Sequence, residues 1–223
     1  MGKLIVLEGL DGSGKSTQLA RLPAALRARG MEVRTISFPD YDDPSSTLVK
    51  MYLAGDFGTE PGAVNAYAAS VFYAADRYAS FVRHWRKDYE AGRVILAGRY
   101  ISSNAIHQTA KLPRAEWPGY IDWLYGLEVG KIGIPAPDLT LYLDMPAEVS
   151  EKLLLRRYAG DEGKKDLHER DKAYQRVCRE AAAFAAERLG WTTVACARGE
   201  QPLPVEEITE ILADRIAAAV KEQ

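Results

Sequence analysis

The stretch that most constrains this chain is Gly9-Leu10-Asp11-Gly12-Ser13-Gly14-Lys15-Ser16, which follows the apolar run Leu4-Ile5-Val6-Leu7. Its spacing is G-x-x-x-x-G-K-S, set between a strand and a helix that starts near Lys15, the context in which this pattern wraps a nucleotide phosphate. Glycines let successive backbone N–H groups turn inward at the positive end of the following helix. Lys15 adds an ammonium for the β- and γ-phosphates, and the Ser16 hydroxyl is an oxygen ligand suited to Mg²⁺. Gly9, Asp11, Gly12, Ser13, Gly14, Lys15, Ser16 and Thr17 are therefore expected at the phosphates of a nucleotide.

Behind that loop the 223 residues alternate between short β-rich runs and long helical ones. Strands are expected at 3–8, 32–38, 93–97, 138–143 and 191–196. Helices are expected near 15–29, 45–54, 62–91, 101–111, 114–129, 147–158, 167–189 and 203–221. The alternation predicts an α/β fold, a parallel sheet of about five strands with helices on both faces. Ligands then lie outside the carboxyl ends of the strands. No linker, repeat or low-complexity tract divides the chain, so residues 1–223 read as a single domain. Hydrophobic residues make up 47% and charged residues 27%, with a net charge of −2. That balance gives no electrostatic footprint for nucleic acid or an acidic membrane. Cys178 and Cys196 fit neither a disulfide framework nor metal spacing and read as small buried residues. No apolar run is long enough to span a bilayer, and Met1 leads straight into a strand rather than a signal peptide. A cytoplasmic enzyme is the expectation.

Two further stretches offer polar groups to a ligand. In the segment 62–91, Val64, Tyr67, Val71, Tyr78, Val82, Trp85 and Tyr89 recur at helical steps and predict one long amphipathic helix. Ser70, Tyr73 and Arg77 share another face, where a ring one turn from a guanidinium can read a flat base and its polar edge. The rival reading is a core tyrosine beside a surface arginine that bridges to Asp76 or a similar neighbour. The second stretch, Gly98 to Gln108, begins where a strand ends. Arg99 there can grip a second phosphate, and Asn104, His107 and Gln108 present polar groups from one helical face. His107 has no partner spaced to make it a metal ligand, and a structural histidine is its rival reading.

Together these residues resemble the thymidylate kinases, a family of P-loop nucleoside monophosphate kinases. The resemblance rests on Glu8 to Gln18, Phe38-Pro39-Asp40-Tyr41, Phe72-Tyr73-Ala74-Ala75-Asp76-Arg77, and Arg99-Tyr100 with Ser103-Asn104, in the family's order over roughly residues 4 to 110. It implies a P-loop NTPase fold, ATP as phosphoryl donor, dTMP as acceptor, Mg²⁺ as cofactor, and pairing as a homodimer through the long helix. It implies that Tyr73 stacks on the base and Arg77 reads its carbonyl edge. Arg99 would hold the acceptor phosphate, Phe38 and Tyr41 would line the pocket, and Asp11 would reach the 3′-hydroxyl. Asn104 would make a polar base contact, with His107 and Gln108 beside it. Arg198, in the stretch after the last strand, resembles the family's adenine-side loop.

The segment 154–171 reads as a lid, with Gly160 and Gly163 breaking a helix and Arg156, Arg157, Lys164, Lys165 and Arg170 supplying cations. Family members place a catalytic arginine either in the P-loop, where this chain has Gly12, or in the lid. This chain resembles the second kind, with Arg156 and Arg157 as its catalytic cations beside Lys15 and Arg99; a solvated surface loop is the alternative. Two departures stand out. Gly98 replaces the aspartate that usually precedes the Arg-Tyr pair, which predicts a water-filled corner and a slow enzyme with a raised Mg²⁺ requirement. His107 replaces a tyrosine, which predicts looser exclusion of a 2′-hydroxyl. A kinase of another base or sugar preference, a nucleoside kinase, and a nucleotide-binding protein weakened by Gly98 remain open alternatives.

Overall fold

The computed structural model describes residues 1–60, 62–158 and 172–221. Five strands, β1 (Leu4–Glu8), β2 (Val33–Ser37), β3 (Val94–Gly98), β4 (Leu139–Asp144) and β5 (Thr192–Ala195), form one parallel sheet in the order β2-β3-β1-β4-β5. The central strand shows why. All five of its residues are buried, and successive side chains point to opposite faces. Leu4 and Val6 join one apolar cluster, and Ile5 and Leu7 join the other. Ile95 and Leu96 of β3 divide in the same way.

The helices cover both faces, as the alternation predicts. Helix α1 (Lys15–Arg27) contributes Leu22 and Leu26 to the second cluster, which also takes in α9 (Val205–Lys221) through Ile208, Leu212 and Ile216. A buried polar link ties these two helices. Gln18 Nε2 donates to the Val205 carbonyl at 3.0 Å, and Thr209 Oγ1 donates to Gln18 Oε1 at 2.8 Å. The first cluster lies under α3 (Ala66–Ser80), α5 (Ile101–His107), α6 (Trp117–Tyr125) and α8 (Lys172–Leu189). Helices α2 (Thr47–Ala54), α4 (Arg86–Glu90) and α7 (Ala147–Tyr158) complete the elements around the sheet. A short antiparallel ribbon, β6 (Ala197–Arg198) with β7 (Gln201–Pro202), was not anticipated from the sequence.

The expected 62–91 helix is corrected. Its regular part begins at Ala66, where Asn65 caps it by accepting from the Ala68 N–H at 2.8 Å. A π-helical turn over Phe81–Trp85 then interrupts it before α4. That turn buries Phe81 and Trp85, whose rings meet at 4.6 Å. A second π-helical turn, Gly126–Ile132, closes the 114–129 region. The expected stripe is split: Tyr67, Val71, Tyr78 and Val82 are exposed, Val64 and Trp85 are buried, and Ala69, Ser70, Ala74 and Arg77 occupy the inward face of the helix. Of the expected lid, 159–171 lies outside the described residues, including Lys164, Lys165 and Arg170. Arg156 and Arg157 are described only as part of the backbone of α7.

Candidate active site

At the carboxyl end of β1 the chain turns through the glycine-rich loop into α1. Lys15 Nζ folds back over it, donating to the Gly9 carbonyl and to the Leu10 carbonyl at 2.8 Å. Ser16 and Thr17 lie exposed on the first turn of the helix. Gly12 has a left-handed backbone (φ 78°), and a β-carbon there would sit 2.7 Å from the Ser150 carbonyl and 3.0 Å from Leu154 Cγ. Helix α7 therefore packs directly on the loop, and no side chain fits at position 12.

Glu8, at the end of β1, is fully buried and satisfied on both oxygens. One accepts from the Gly9 N–H at 2.9 Å; the other accepts from the hydroxyls of Ser102 and Ser103 at 2.8 and 2.7 Å. This ties the start of the P-loop to α5, the helix that follows β3. Arg99 stands between them and is the one described non-glycine residue with a positive φ, 65°. Such a backbone costs about 1–3 kcal/mol and is found where surrounding contacts over-determine it. Here they do: Arg99 Nη2 donates to Asp11 Oδ1 at 2.7 Å, and Nη1 lies 3.4 Å from Ser103 Oγ and 3.3 Å from His107 Nε2. Because arginine only donates, His107 Nε2 accepts, which puts the ring proton on Nδ1, 3.6 Å from Cys178 Sγ. Burial alone disfavours an ionised Asp11, but the Arg99 and Lys15 charges outweigh it and hold the carboxyl well below the usual range. Three side chains, Asp11, Ser103 and His107, thus orient Arg99 although residue 98 offers it no carboxylate.

The corner beside Gly98 is corrected too. A β-carbon at residue 98 would lie 2.5 Å from Leu19 Cδ2 and 3.4 Å from Ser37 Oγ. A leucine methyl of α1, rather than water, fills the space where the family's aspartate would stand.

Next to the Asp11–Arg99 pair opens a cavity. Asp11, Phe38, Tyr41 and Tyr73 line it, and so do Arg77, Arg99, Asn104, His107 and Gln108. These are the nine residues expected at the acceptor, drawn from the P-loop, the loop after β2, α3 and the β3–α5 segment. Phe38 is buried against Tyr100, whereas Tyr41 is half exposed at the mouth. Burial pushes the Tyr73 hydroxyl up, so it stays neutral, and its ring stands edge-on to Tyr52 at 6.3 Å. Asn104 Nδ2 reaches the Ser70 carbonyl at 3.4 Å. Gln108 Oε1 is buried with no hydrogen-bond partner among the described residues.

Ser70, expected on the ligand face, is instead structural: its hydroxyl bonds the Ala66 carbonyl and the Tyr120 hydroxyl. Arg77 matches neither sequence reading fully. It lines the cavity, yet it is buried and paired with Glu128, at 2.6 and 2.7 Å, rather than bridging on the surface to Asp76. Asp76 has another task. It accepts from the Asp40 N–H at 2.9 Å and the Ser45 hydroxyl at 2.6 Å, holding the loop that presents Phe38 and Tyr41. Sequence reasoning missed Glu128 and the tethering roles of Asp76 and Glu8, since each partner lies far along the chain. Arg198 sits on the exposed β6–β7 ribbon, paired with Glu207 of α9. Neither cysteine is in a disulfide, and both are buried. Among the described residues no cluster of His, Cys, Asp or Glu could hold a metal alone, and no helix is long and apolar enough to cross a membrane.

The comparisons agree with this geometry. The family model described as thymidylate kinase matches residues 7–203. The thymidylate kinase of Mycobacterium tuberculosis is 31% identical over 193 residues, covering 84% of this chain and 87% of its own. That of Rhizorhabdus wittichii is 32% identical over 216 residues, covering 96% and 98%. The solved thymidylate kinase of Candida albicans superposes with a TM-score of 0.71 at 25% identity, covering 97% of this chain and 92% of that one. With a phosphate cradle and a polar, ring-lined cavity joined through Arg99 and Asp11, on a sheet and a sequence both matched along nearly their full length, the chain belongs to the thymidylate kinase family of nucleoside monophosphate kinases.

Proposed function

We propose that the cavity beside the P-loop is the acceptor site at which this enzyme transfers the γ-phosphoryl group of ATP to dTMP, giving ADP and dTDP. The observation that supports it most is the meeting of two recognition surfaces at the Asp11–Arg99 pair, which belongs to the phosphate loop and to the cavity at once. A pyrimidine stacked on Tyr73 would face Arg77, Asn104 and Gln108. The unpartnered Gln108 oxygen would accept from a ring N–H. Arg99 would hold the acceptor phosphate in line with the donor phosphates over Lys15. No general base is needed, because the acceptor phosphate is already anionic; catalysis is positioning and charge neutralisation.

Asp11, held ionised, and the exposed Ser16 hydroxyl are hard oxygen donors, a set that fits Mg²⁺ kept mostly by nucleotide phosphates and water. When bound, the ion would supply charge neutralisation at the phosphates. Since no side chain fits at position 12, cationic help for the transferred group would come from the α7 side, from Arg156 or Arg157. Arg198 would lie toward the adenine. The enzyme would work in the cytoplasm as a homodimer, with no nucleic-acid or membrane partner.

An ADP-release assay across nucleosides and nucleoside monophosphates tests this reading, with dTMP expected to give the highest kcat/KM. Lys15→Ala should abolish transfer while far-UV dichroism and thermal midpoint stay unchanged, since the residue is a charge on a loop, bonded to the Gly9 and Leu10 carbonyls, and not part of the apolar core. Loss of one such clamp is worth several kcal/mol in the transition state, and each ~1.4 kcal/mol is tenfold in rate. A folded Lys15→Ala protein with near-normal turnover, or a better acceptor than dTMP, would overturn it.

A further inference from the structure

Glu128 is fully buried in the π-helical turn Gly126–Ile132, and its carbonyl accepts from both the Gly133 and Ile134 N–H groups, which fixes its backbone. Its carboxylate grips one edge of Arg77. Nε donates to Oε2 at 2.7 Å and Nη2 donates to Oε1 at 2.6 Å. On the far side Arg77 Nη1 donates to the Tyr100 carbonyl at 3.3 Å. A guanidinium has five N–H donors and no acceptor. Three are engaged, which leaves one hydrogen on Nη1 and one on Nη2, on a residue that also lines the acceptor cavity.

We propose that Glu128 is the positioning residue for base selection: by clamping the Nε–Nη2 edge of Arg77, it presents the remaining N–H groups to the acceptor cavity as a fixed, donor-only edge. A base with a ring carbonyl at that edge satisfies it. A base with an amino group there sets donor against donor and leaves both buried and unpaired. A free arginine could swing away from that conflict; an arginine gripped at two points within 2.7 Å cannot. Glu128 touches no substrate and acts through Arg77. The inference rests on the reading of the cavity as the acceptor site.

The test compares kcat/KM for dTMP, dUMP and dCMP in the native enzyme and in Glu128→Gln. The amide keeps the shape but loses the charge and one acceptor, so the clamp opens. The dTMP-to-dCMP ratio should fall about tenfold or more, the scale of one buried donor no longer held unpaired. Values for dUMP should track dTMP, because both present a carbonyl, and KM for ATP should not move. If all three acceptors weaken equally and the ratio holds, Glu128 merely stabilises the fold and the inference fails.

Should Glu128→Gln not fold, ¹⁵N spectra of the native enzyme decide. The Arg77 Nε–H signal should be slow to exchange and should shift on adding dTMP but not ATP. A rapidly rotating Arg77 side chain, or no dTMP shift, overturns the proposal. Tyr73→Leu separates the two levels. If it raises KM for dTMP while Glu128→Gln leaves the ratio alone, only the Glu128 inference is lost. If neither variant alters any acceptor's kinetics, the acceptor-site reading itself falls.

Discussion

Gly98 is a position where chemistry and packing pull in different directions. An aspartate there would add a charge near the phosphates, but its β-carbon would have to displace a Leu19 methyl 2.5 Å away, and Leu19 packs against the core cluster of α1 and α9. Gly98→Asp is therefore expected to destabilise the fold by about 1–3 kcal/mol of overpacking, seen as a lower thermal midpoint, without raising kcat for dTMP. Leu19→Ala in the same chain should recover much of that stability. A faster Gly98→Asp enzyme with unchanged melting would mean that the leucine yields freely. The sequence displays the glycine but not the methyl that fills its space, because α1 and the end of β3 become neighbours only when the sheet forms. The same holds for Arg77. Its helical phase with Tyr73 is readable, whereas its partner Glu128 lies in another element, at a π-helical turn with no local signal. Residues whose placement follows from spacing along one segment, such as Lys15 and Ser16 at the turn from loop into helix, are legible; residues that meet across segments are not.

At the scale of elements, the strands and the P-loop helix were legible to within about two residues because apolar runs and a glycine motif bound them. The long helix was not. Its break accompanies the burial of Phe81 against Trp85 and of Trp85 beside Tyr100, a tertiary demand that outweighs regular helical hydrogen bonding. The loop after β2 is held in a comparable way. Asp43 caps its short turn, accepting from the Ser45 N–H at 2.9 Å, and takes further bonds from His84 and Arg83 at 2.8 Å. The Ser45 N–H and His84 draw the Asp43 carboxyl down to about 2. That lies below the roughly 3.9 of a free aspartate, so the anchor contributes fully above about pH 4 and is lost as pH falls through about 2. The thermal midpoint of the native enzyme should therefore drop more steeply between pH 4 and 2 than that of Asp43→Asn. The asparagine variant should already be less stable at neutral pH. Parallel curves would show that Asp43 does not anchor the loop.

For the whole molecule, the outward stripe of α3 is the feature a single chain leaves unexplained. Tyr67, Val71 and Tyr78 are 39%, 48% and 47% exposed, and at 100° per residue they fall within roughly 40° of one another. Val82, in the π-helical turn, adds to them at 42% exposed. Tyr73 and Arg77 look toward the cavity from another face of the same helix, so the stripe can be covered without closing the site. Contiguous apolar patches of this kind on a soluble protein mark contact surfaces. A second copy of the chain would satisfy the patch through a two-fold axis, in which the same helix faces itself. A stable pair of this sort covers about 800 Å² on each partner, more than one stripe provides, so neighbouring elements must take part. We expect light scattering at micromolar concentration to give twice the chain mass of 24.7 kDa. Val71→Glu, which sets two carboxylates close to the axis, should shift the mass toward the single chain while the dichroism spectrum holds. Because α3 also carries Tyr73 and Arg77, loss of the partner should raise KM for dTMP more than KM for ATP. A native monomer at that concentration would remove the second copy from the account, and an unchanged mass in Val71→Glu would place the contact on another face.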